Sequence, residues 1–304
     1  MNDTAVVLGG GGPVGGAWTV GVLAGLAEAG VDPAAADTVI GTSAGAIYGT
    51  RLAFGEDPRE LYRRQLADLD RIAMGVTLAQ TARFLWAALP TRNPERSIRR
   101  LGHAALTANP HPDHDLHDIV RAMLGAPTAW PDRPLRITAI EATTGRVKAF
   151  DAGAGLDLVD AVAASCAVPL VWQPVTALGR QWIDGGTRST GNLQLAAGHR
   201  QVLAITPIPT AVGPHPNAQH QAAELRASGI HTTLVAPDDE ARRAMGRDLT
   251  ANARRPAAAR AGHRQGTAVA ATLALTWPTP ADRTDDRPSG ALLRTGLPFD
   301  RQSP

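Results

Sequence analysis

Twice before Phe54 the chain passes from a short apolar, β-prone run through glycines straight into a helical pattern. Ala5-Val6-Val7-Leu8 stops at Gly9 to Gly12 and Pro13; Ala17 to Ala29 then carries Val20, Leu23, Ala24 and Ala27 at helical spacing and closes on Gly30. Thr38-Val39-Ile40 runs into Gly41-Thr42-Ser43-Ala44-Gly45, and Ala46 to Phe54 reads as the next helix. A parallel pair of strands needs a crossover, and a helix supplies it, so this opening predicts a largely parallel α/β sheet.

The remainder fits that plan. Asp57 to about Ala129 is mostly helical, interrupted at Pro90, Pro94, Pro110 and Pro112, and is expected near the mouth of any site at the sheet edge. Leu135–Ile140, Val147–Phe150, Gln181–Ile183, Val202–Thr206 and Ile230–Val235 read as strands. Helices are expected over Leu156–Cys166, Ala218–Ala227 and Asp238–Arg247, then two Ala/Arg-rich helices broken at Pro256 and Gly262. One domain over residues 1–276 is predicted, followed by a Pro- and Arg-rich tail over 277–304 with too little apolar periodicity to pack.

Composition narrows the function classes. Hydrophobic residues make up 44% and charged ones 19%, ordinary for a globular protein, and the net charge is only +2. The basic residues, nearly all arginine (Lys148 is the only lysine), are scattered among acids, so no nucleic-acid partner is expected. Cys166 is the only cysteine, which excludes an intrachain disulfide. No apolar run approaches the roughly 20 residues of a membrane span, and Met1 to Thr4 carry no basic patch of a signal peptide. The expected location is the cytoplasm, with peripheral membrane contact at most. The pairs Arg63-Arg64, Arg99-Arg100 and Arg254-Arg255 are the candidates for such contact, against the plainer reading of solvated helix faces.

Three motifs carry chemistry. In Gly41-Thr42-Ser43-Ala44-Gly45 the flanking glycines permit a sharp strand-to-helix turn that lifts the Ser43 hydroxyl clear of the backbone. The run Gly9 to Gly12 through Gly15-Gly16 exposes N–H groups at a helix start, where they can hold an oxyanion or a phosphate. Gly10, Gly12 and Gly15 also satisfy Gly-x-Gly-x-x-Gly with Asp32 as a ribose-binding acid, so a nucleotide-binding oxidoreductase is the rival reading. Asp184-Gly185-Gly186 ends a strand and by itself is a turn. A Ser–Asp–His triad through His199, His215, His220, His231 or His263 is disfavoured because Ser43 follows only the second strand. His111, His114 and His117 with Asp113, Asp115 and Asp118 read as a solvated loop rather than a metal site.

Taken together and in this order, the motifs resemble the patatin-like phospholipase family, and Ala164-Ser165-Cys166-Ala167-Val168-Pro169 through Pro174 resembles the segment ahead of its Asp-Gly-Gly. The resemblance implies a three-layer α/β/α fold with a predominantly parallel central sheet. It implies a serine acyl-ester hydrolase of phospholipase A or lysophospholipase type, acting on a lipid or other acyl ester, with no metal or organic cofactor. Ser43 would be the nucleophile and Asp184 its base without an intervening histidine. Gly10, Gly11 and Gly12 would form the oxyanion hole, joined by the Ala44 amide, with Gly41, Gly45, Gly185 and Gly186 supporting the turns. Many members carry an arginine in the glycine loop where this chain has Val14, which raises a catalytically weakened lipid-binding homologue as a further alternative. Neither oligomeric state nor the natural lipid is implied.

Overall fold

Strand β1 (Thr4–Leu8) is the centre of the sheet, paired in parallel with β2 (Thr38–Gly41) on one edge and β7 (Gln201–Ile205) on the other. The computed structural model describes residues 3–71, 91–108, 110, 115–127, 129–211, 213–274 and 276–277. Beyond β7 lies β8 (His231–Val235), again parallel; beyond β2 lies β3 (Leu135–Glu141), whose first residues pair in parallel with β2. The remaining pairings are antiparallel: β4 (Val147–Phe150) on β3, β6 (Arg180–Asp184) on β3, and the short β5 (Val175–Ala177) on β6. The sheet is therefore mostly parallel, as expected, with an antiparallel flank.

Successive side chains of a strand point to opposite faces, and the core divides accordingly. Val6 and Leu8 of β1 face a large cluster shared with α1 (Gly12–Glu28), α2 (Ala44–Ala53), α5 (Leu116–Leu124), α6 (Leu158–Cys166) and α9 (Arg255–Leu273). Ala5 and Val7 face a smaller cluster closed by α7 (Ala218–Ala227) and the single turn Leu193–Ala196. Ile140 and Ile183 meet Ile98 and Ala105 of α4 (Pro94–Thr107). Three layers result, with the heavier helical cover on one side. Two more helices, α3 (Pro58–Leu66) and α8 (Asp239–Met245), complete that heavier side through Leu61, Ala241 and Met245.

Four elements differ from the sequence reading, the first being β5, too short at three residues to leave an apolar period. Helix α1 begins at Gly12 rather than Ala17, because the second half of the glycine run is itself the first helical turn. Helix α9 runs unbroken through Gly262, and Pro256 sits in its first turn, where a missing N–H costs nothing. Trp277 is buried and its indole N–H donates to the Asp32 carbonyl oxygen at 3.1 Å, so packed structure reaches at least that residue. The expected tail beyond it lies outside the described residues.

Gly262 has a packing role instead of a breaking one. A Cβ there would lie 2.1 Å from the Trp18 carbonyl oxygen, and one on Gly266 would lie 2.3 Å from that of Val22. Reciprocally, a Cβ on Gly21 or Gly25 of α1 would meet the carbonyl oxygens of Ala259 and His263 at 2.0 and 2.2 Å. Glycines spaced four apart on both helices thus let the two backbones touch. Gly262→Ala should destabilise by about 1–3 kcal/mol, the usual cost of overpacking, lowering Tm by roughly 2–12 °C for a domain of this size. Gly198→Ala, where an added Cβ meets nothing within 4 Å, should leave a thermal melt unchanged.

Candidate active site

The turn after β2 is held open by its glycines. Ser43 takes φ 54° and ψ −121°, left-handed for a residue with a Cβ, and stands immediately before α2. Such a conformation costs on the order of 1–3 kcal/mol and persists only where surroundings impose it. They do so from several sides. A Cβ on Gly45 would fall 2.1 Å from the Leu8 carbonyl oxygen, and one on Gly41 would fall 2.6 Å from the Ala46 Cα. The Ser43 N–H donates to Ser165 Oγ at 2.9 Å, and the amides of Gly45 and Ala46 return to the carbonyls of Thr42 and Ser43 at 2.8 Å each.

Asp184 reaches Ser43 because of β3. On one edge of that strand β4 occupies Ile137–Ile140; on the other, β2 pairs along Leu135–Ile137 and β6 along Ala139–Glu141. Strands β2 and β6 thus approach head-on, Gly41 opposite Ile137 and Asp184 opposite Ala139, with Thr138 between them. The sequence reading gathers the two strand ends along one edge of a parallel sheet; they instead meet nose to nose, because β6 is antiparallel to β3.

Thr138 Oγ1 lies 2.6 Å from Thr42 Oγ1 and donates to the Gly41 carbonyl oxygen at 3.2 Å. Fully buried Asn192, itself at φ 50°, completes the junction: its Nδ2 donates to Thr42 Oγ1 at 3.2 Å, the Gly185 carbonyl oxygen at 3.1 Å and the Ser189 carbonyl oxygen at 2.8 Å. Thr138, Ser165 and Asn192 are the positioning residues that sequence reasoning missed. Polar residues at buried positions next to the motifs are the only signal they leave.

The Asp184 carboxylate is 4% exposed and accepts the Gly186 N–H at 2.6 Å, while its own N–H donates to the Ala167 carbonyl oxygen at 2.9 Å. Loss of hydration raises its pKa to about 6; the Ser43 hydroxyl and the Gly186 amide, which favour the ionised form, offset part of that rise. The glycine loop closes the third side. The Gly10 amide is spent on the Thr190 carbonyl oxygen at 2.9 Å, whereas those of Gly11 and Gly12 have no acceptor among the described residues. Gly10 lies against Ser43, where a Cβ would come 3.2 Å from the serine Cβ. Together Gly10 to Gly12, Ser43, Asp184, Gly186, Thr187 and Thr190, with apolar walls from Val168 and Ile208, enclose a cleft of about 150 Å³.

A family model described as patatin-like phospholipase matches residues 6–197, which contain the glycine loop, the serine turn and the Asp-Gly-Gly. The chain belongs to the patatin-like phospholipase family. No curated protein matches it in sequence. Among solved structures it is similar to VipD from Legionella pneumophila, at 13% identity and a TM-score of 0.45, over 90% of this chain and 67% of VipD. It is also similar to the type III effector protein ExoU, at 16% identity and a TM-score of 0.41, over 88% of this chain and 53% of ExoU, so it spans about half of that protein. Membership rests on the family model and not on these distant likenesses.

The rival assignments find other uses in this patatin-like fold. Asp32 precedes β2, at the sheet edge opposite the glycine loop, and its carboxylate caps the turn Pro33–Ala35 through the Ala34 N–H at 2.9 Å. It is not placed to meet a ribose beside Gly10. No histidine lines the cleft among the described residues. His199 sits 3.2 Å from the Ala196 carbonyl oxygen, His220 beside Glu224 at 3.2 Å, and His263 is 2.8 Å from Glu28 and stacked on Tyr62. His117 pairs with Asp160 at 3.3 Å; His111, Asp113 and His114 lie outside the described residues. Val14 is fully buried in the core, so an arginine's charge is absent from the loop without the glycines being disturbed. None of the helices between Asp57 and Ala129 lines the cleft among the described residues, and 72–90 lie outside them.

The pKa of Asp184 makes a stability prediction. Unfolded, the group ionises near 3.8; folded, near 6, so between those values the native state holds a proton the unfolded chain has released. Ionising the buried carboxylate therefore costs stability, a cost absent below pH 3.8 and complete above about 6. Asp184→Asn escapes it. Above pH 6 the variant should be more stable than the wild type by up to about 3 kcal/mol, from about two units at 1.36 kcal/mol each. The difference should vanish in melts near pH 4.

Proposed function

We propose that this chain hydrolyses lipid acyl esters through an acyl-Ser43 intermediate, with Asp184 as the only general base. The observation that carries the reading is the buried, high-pKa carboxylate of Asp184 facing the Ser43 hydroxyl in a cleft whose described lining has no histidine. An ordinary carboxylate is too weak a base for a serine hydroxyl. One that titrates near 6 is matched to proton transfer at neutral pH.

In the first half-reaction Ser43 Oγ attacks the ester carbonyl carbon and its proton passes to Asp184. The carbonyl oxygen becomes an oxyanion, received by the amides of Gly11 and Gly12 at the positive end of α1, with the Ala44 amide at the start of α2 beside them. Gly10, which the sequence groups with that hole, supports it as backbone, since its own N–H is taken. Collapse breaks the bond to the alcohol, which leaves with the proton held by Asp184. A water then attacks the acyl-serine, Asp184 again taking the proton; collapse breaks the bond to Ser43 Oγ, Asp184 returns the proton to that oxygen, and the carboxylic acid departs. Gly41, Gly45, Gly185 and Gly186 support the two turns. Residues 1–276, extended to the buried Trp277, form the working unit, and 278–304 are dispensable to turnover in this reading.

Ser43→Ala should abolish labelling by a fluorophosphonate probe and cut turnover of a short-chain nitrophenyl ester by on the order of 10⁴-fold. Mapping of the label to the buried Ser165 or Ser189 would refute the assignment. Single replacements of His199, His215, His220, His231 and His263 should each leave turnover within about tenfold, far short of the loss of a triad member.

The pH profile gives an independent check. Wild-type kcat/KM should be flat above pH 7 and fall about tenfold per unit below pH 6, as Asp184 takes up its proton. A profile that continues flat to pH 4.5 would remove the aspartate from the proton-transfer step.

A further inference from the structure

We propose that the tip of the β5–β6 hairpin docks this protein on an anionic lipid surface. Leu178 would enter the acyl region while Arg146, Lys148 and Arg180 meet headgroup phosphates. The inference extends the reading of the chain as a lipid hydrolase, and rests on features that reading does not use.

Leu178 is an anomaly for folding. Ala177 pairs with Arg180, leaving Leu178 and Gly179 as a two-residue loop with φ 53° and 68°. Two left-handed residues in such a loop call for Asn-Gly or Gly-Gly. A leucine there carries backbone strain, and with 49% of its surface exposed it recovers little by packing. An outlier that costs stability on an exposed tip invites a use outside the folded chain.

The surroundings select the partner. Leu178 borders a cavity of about 350 Å³ walled by Phe150 and Trp182, whose rings meet edge to face at 4.8 Å. Its rim carries Arg146, Lys148 and Arg180 against one carboxylate, Glu141, which Arg180 engages at 2.6 Å. Arg146 and Lys148 have no acidic partner among the described residues, so the rim keeps two positive charges. An apolar tip beside two uncompensated cations suits the boundary between headgroups and acyl chains.

The arginine pairs that the sequence offers for this role are largely spent elsewhere. Arg63 pairs with Glu60, Arg64 with buried Asp70, and Arg255 is fully buried. Position also fits: the hairpin stands at the carboxyl end of β3, the same sheet edge from which Gly41 leads into Ser43. Exposed Phe54, by contrast, closes α2 at its far end.

Cosedimentation with vesicles of ether-linked lipids, which an acyl hydrolase cannot cleave, tests docking separately from catalysis. The wild type should bind vesicles of equal parts phosphatidylcholine and phosphatidylglycerol, bind phosphatidylcholine alone more weakly, and release from the mixed vesicles as salt is raised. Leu178→Asn should weaken binding about tenfold or more with Tm unchanged or higher, since Asn tolerates the left-handed turn. Arg146→Gln and Lys148→Gln should each weaken it roughly fivefold. All three variants should hydrolyse a soluble short-chain ester like the wild type. A wild type that ignores the anionic vesicles, or variants that bind them undiminished, would overturn the proposal. Vesicle binding by a protein that hydrolyses no ester would sink the catalytic reading and leave docking standing.

Discussion

Strand β3 carries two strands on one edge, and the candidate site depends on that sharing. β2 climbs along it to Ile137 and β6 descends to Ala139, so only Thr138 separates the turn that holds Ser43 from the turn that holds Asp184. Register in a sheet is fixed by hydrogen bonds and by the burial of alternate side chains. A slip of one residue in either strand would change the Ser–Asp separation by about 3.3 Å and turn the strand's apolar side chains to the wrong face. The close contact of Thr138 with Thr42, and the reach of Asn192 to both turns, lock this register with buried polar groups whose partners are all internal. The spacing of the two groups is thus a property of the sheet and not of the loops that display them.

Burial then sets the chemistry. Asp184 is held by the Gly186 amide and stripped of water by its surroundings, and the second effect exceeds the first. Such a carboxylate is a liability to the fold at neutral pH and an asset to a reaction that must remove a proton from a hydroxyl. Cys166 lies in the same environment, its thiol pushed up by burial and by the charge of Asp184, which keeps it protonated and a poor nucleophile. Ser43, and not Cys166, lines the cleft, in the strained turn beside the glycine loop.

Much of this was legible in the sequence because it depends on local rules. The glycines at 41 and 45, the glycine run after Leu8 and the Asp-Gly-Gly after Ile183 each sit where only a residue without a Cβ, or a turn-forming acid, fits. Every strand but the three-residue β5 was readable from its apolar run, and helix α7 was readable to the residue from its periodicity. What escaped depends on partners distant in sequence. Nothing local reveals that β6 runs against β3, that Thr138 will meet Thr42 across 96 positions, or that Gly10 will give its amide to Thr190. Gly262 misled for the same reason: a glycine inside a helical pattern reads as a break until the helix it touches is known.

That last contact explains why the segment beyond residue 197, where the family model ends, is not an accessory. The glycine loop and the serine turn both sit at helix N-termini, so they are only as fixed as α1 and α2. Helix α9 clamps the first through the four mutually fitted glycines. At its start, Arg255 is fully buried and donates to Gln65 Oε1 at 2.6 Å; Gln65 donates in turn to Asp70 at 2.7 Å, which also receives Arg51 of α2 at 3.0 Å. Between these anchors the Leu249 carbonyl oxygen accepts the Val14 N–H at 3.0 Å, occupying one amide of the first turn of α1 and leaving those of Gly11 and Gly12 for a ligand. One helix and the loop before it therefore hold the glycine loop and the serine turn from behind. The buried charges make this hold specific, since removing one partner of such a network strands the others without water.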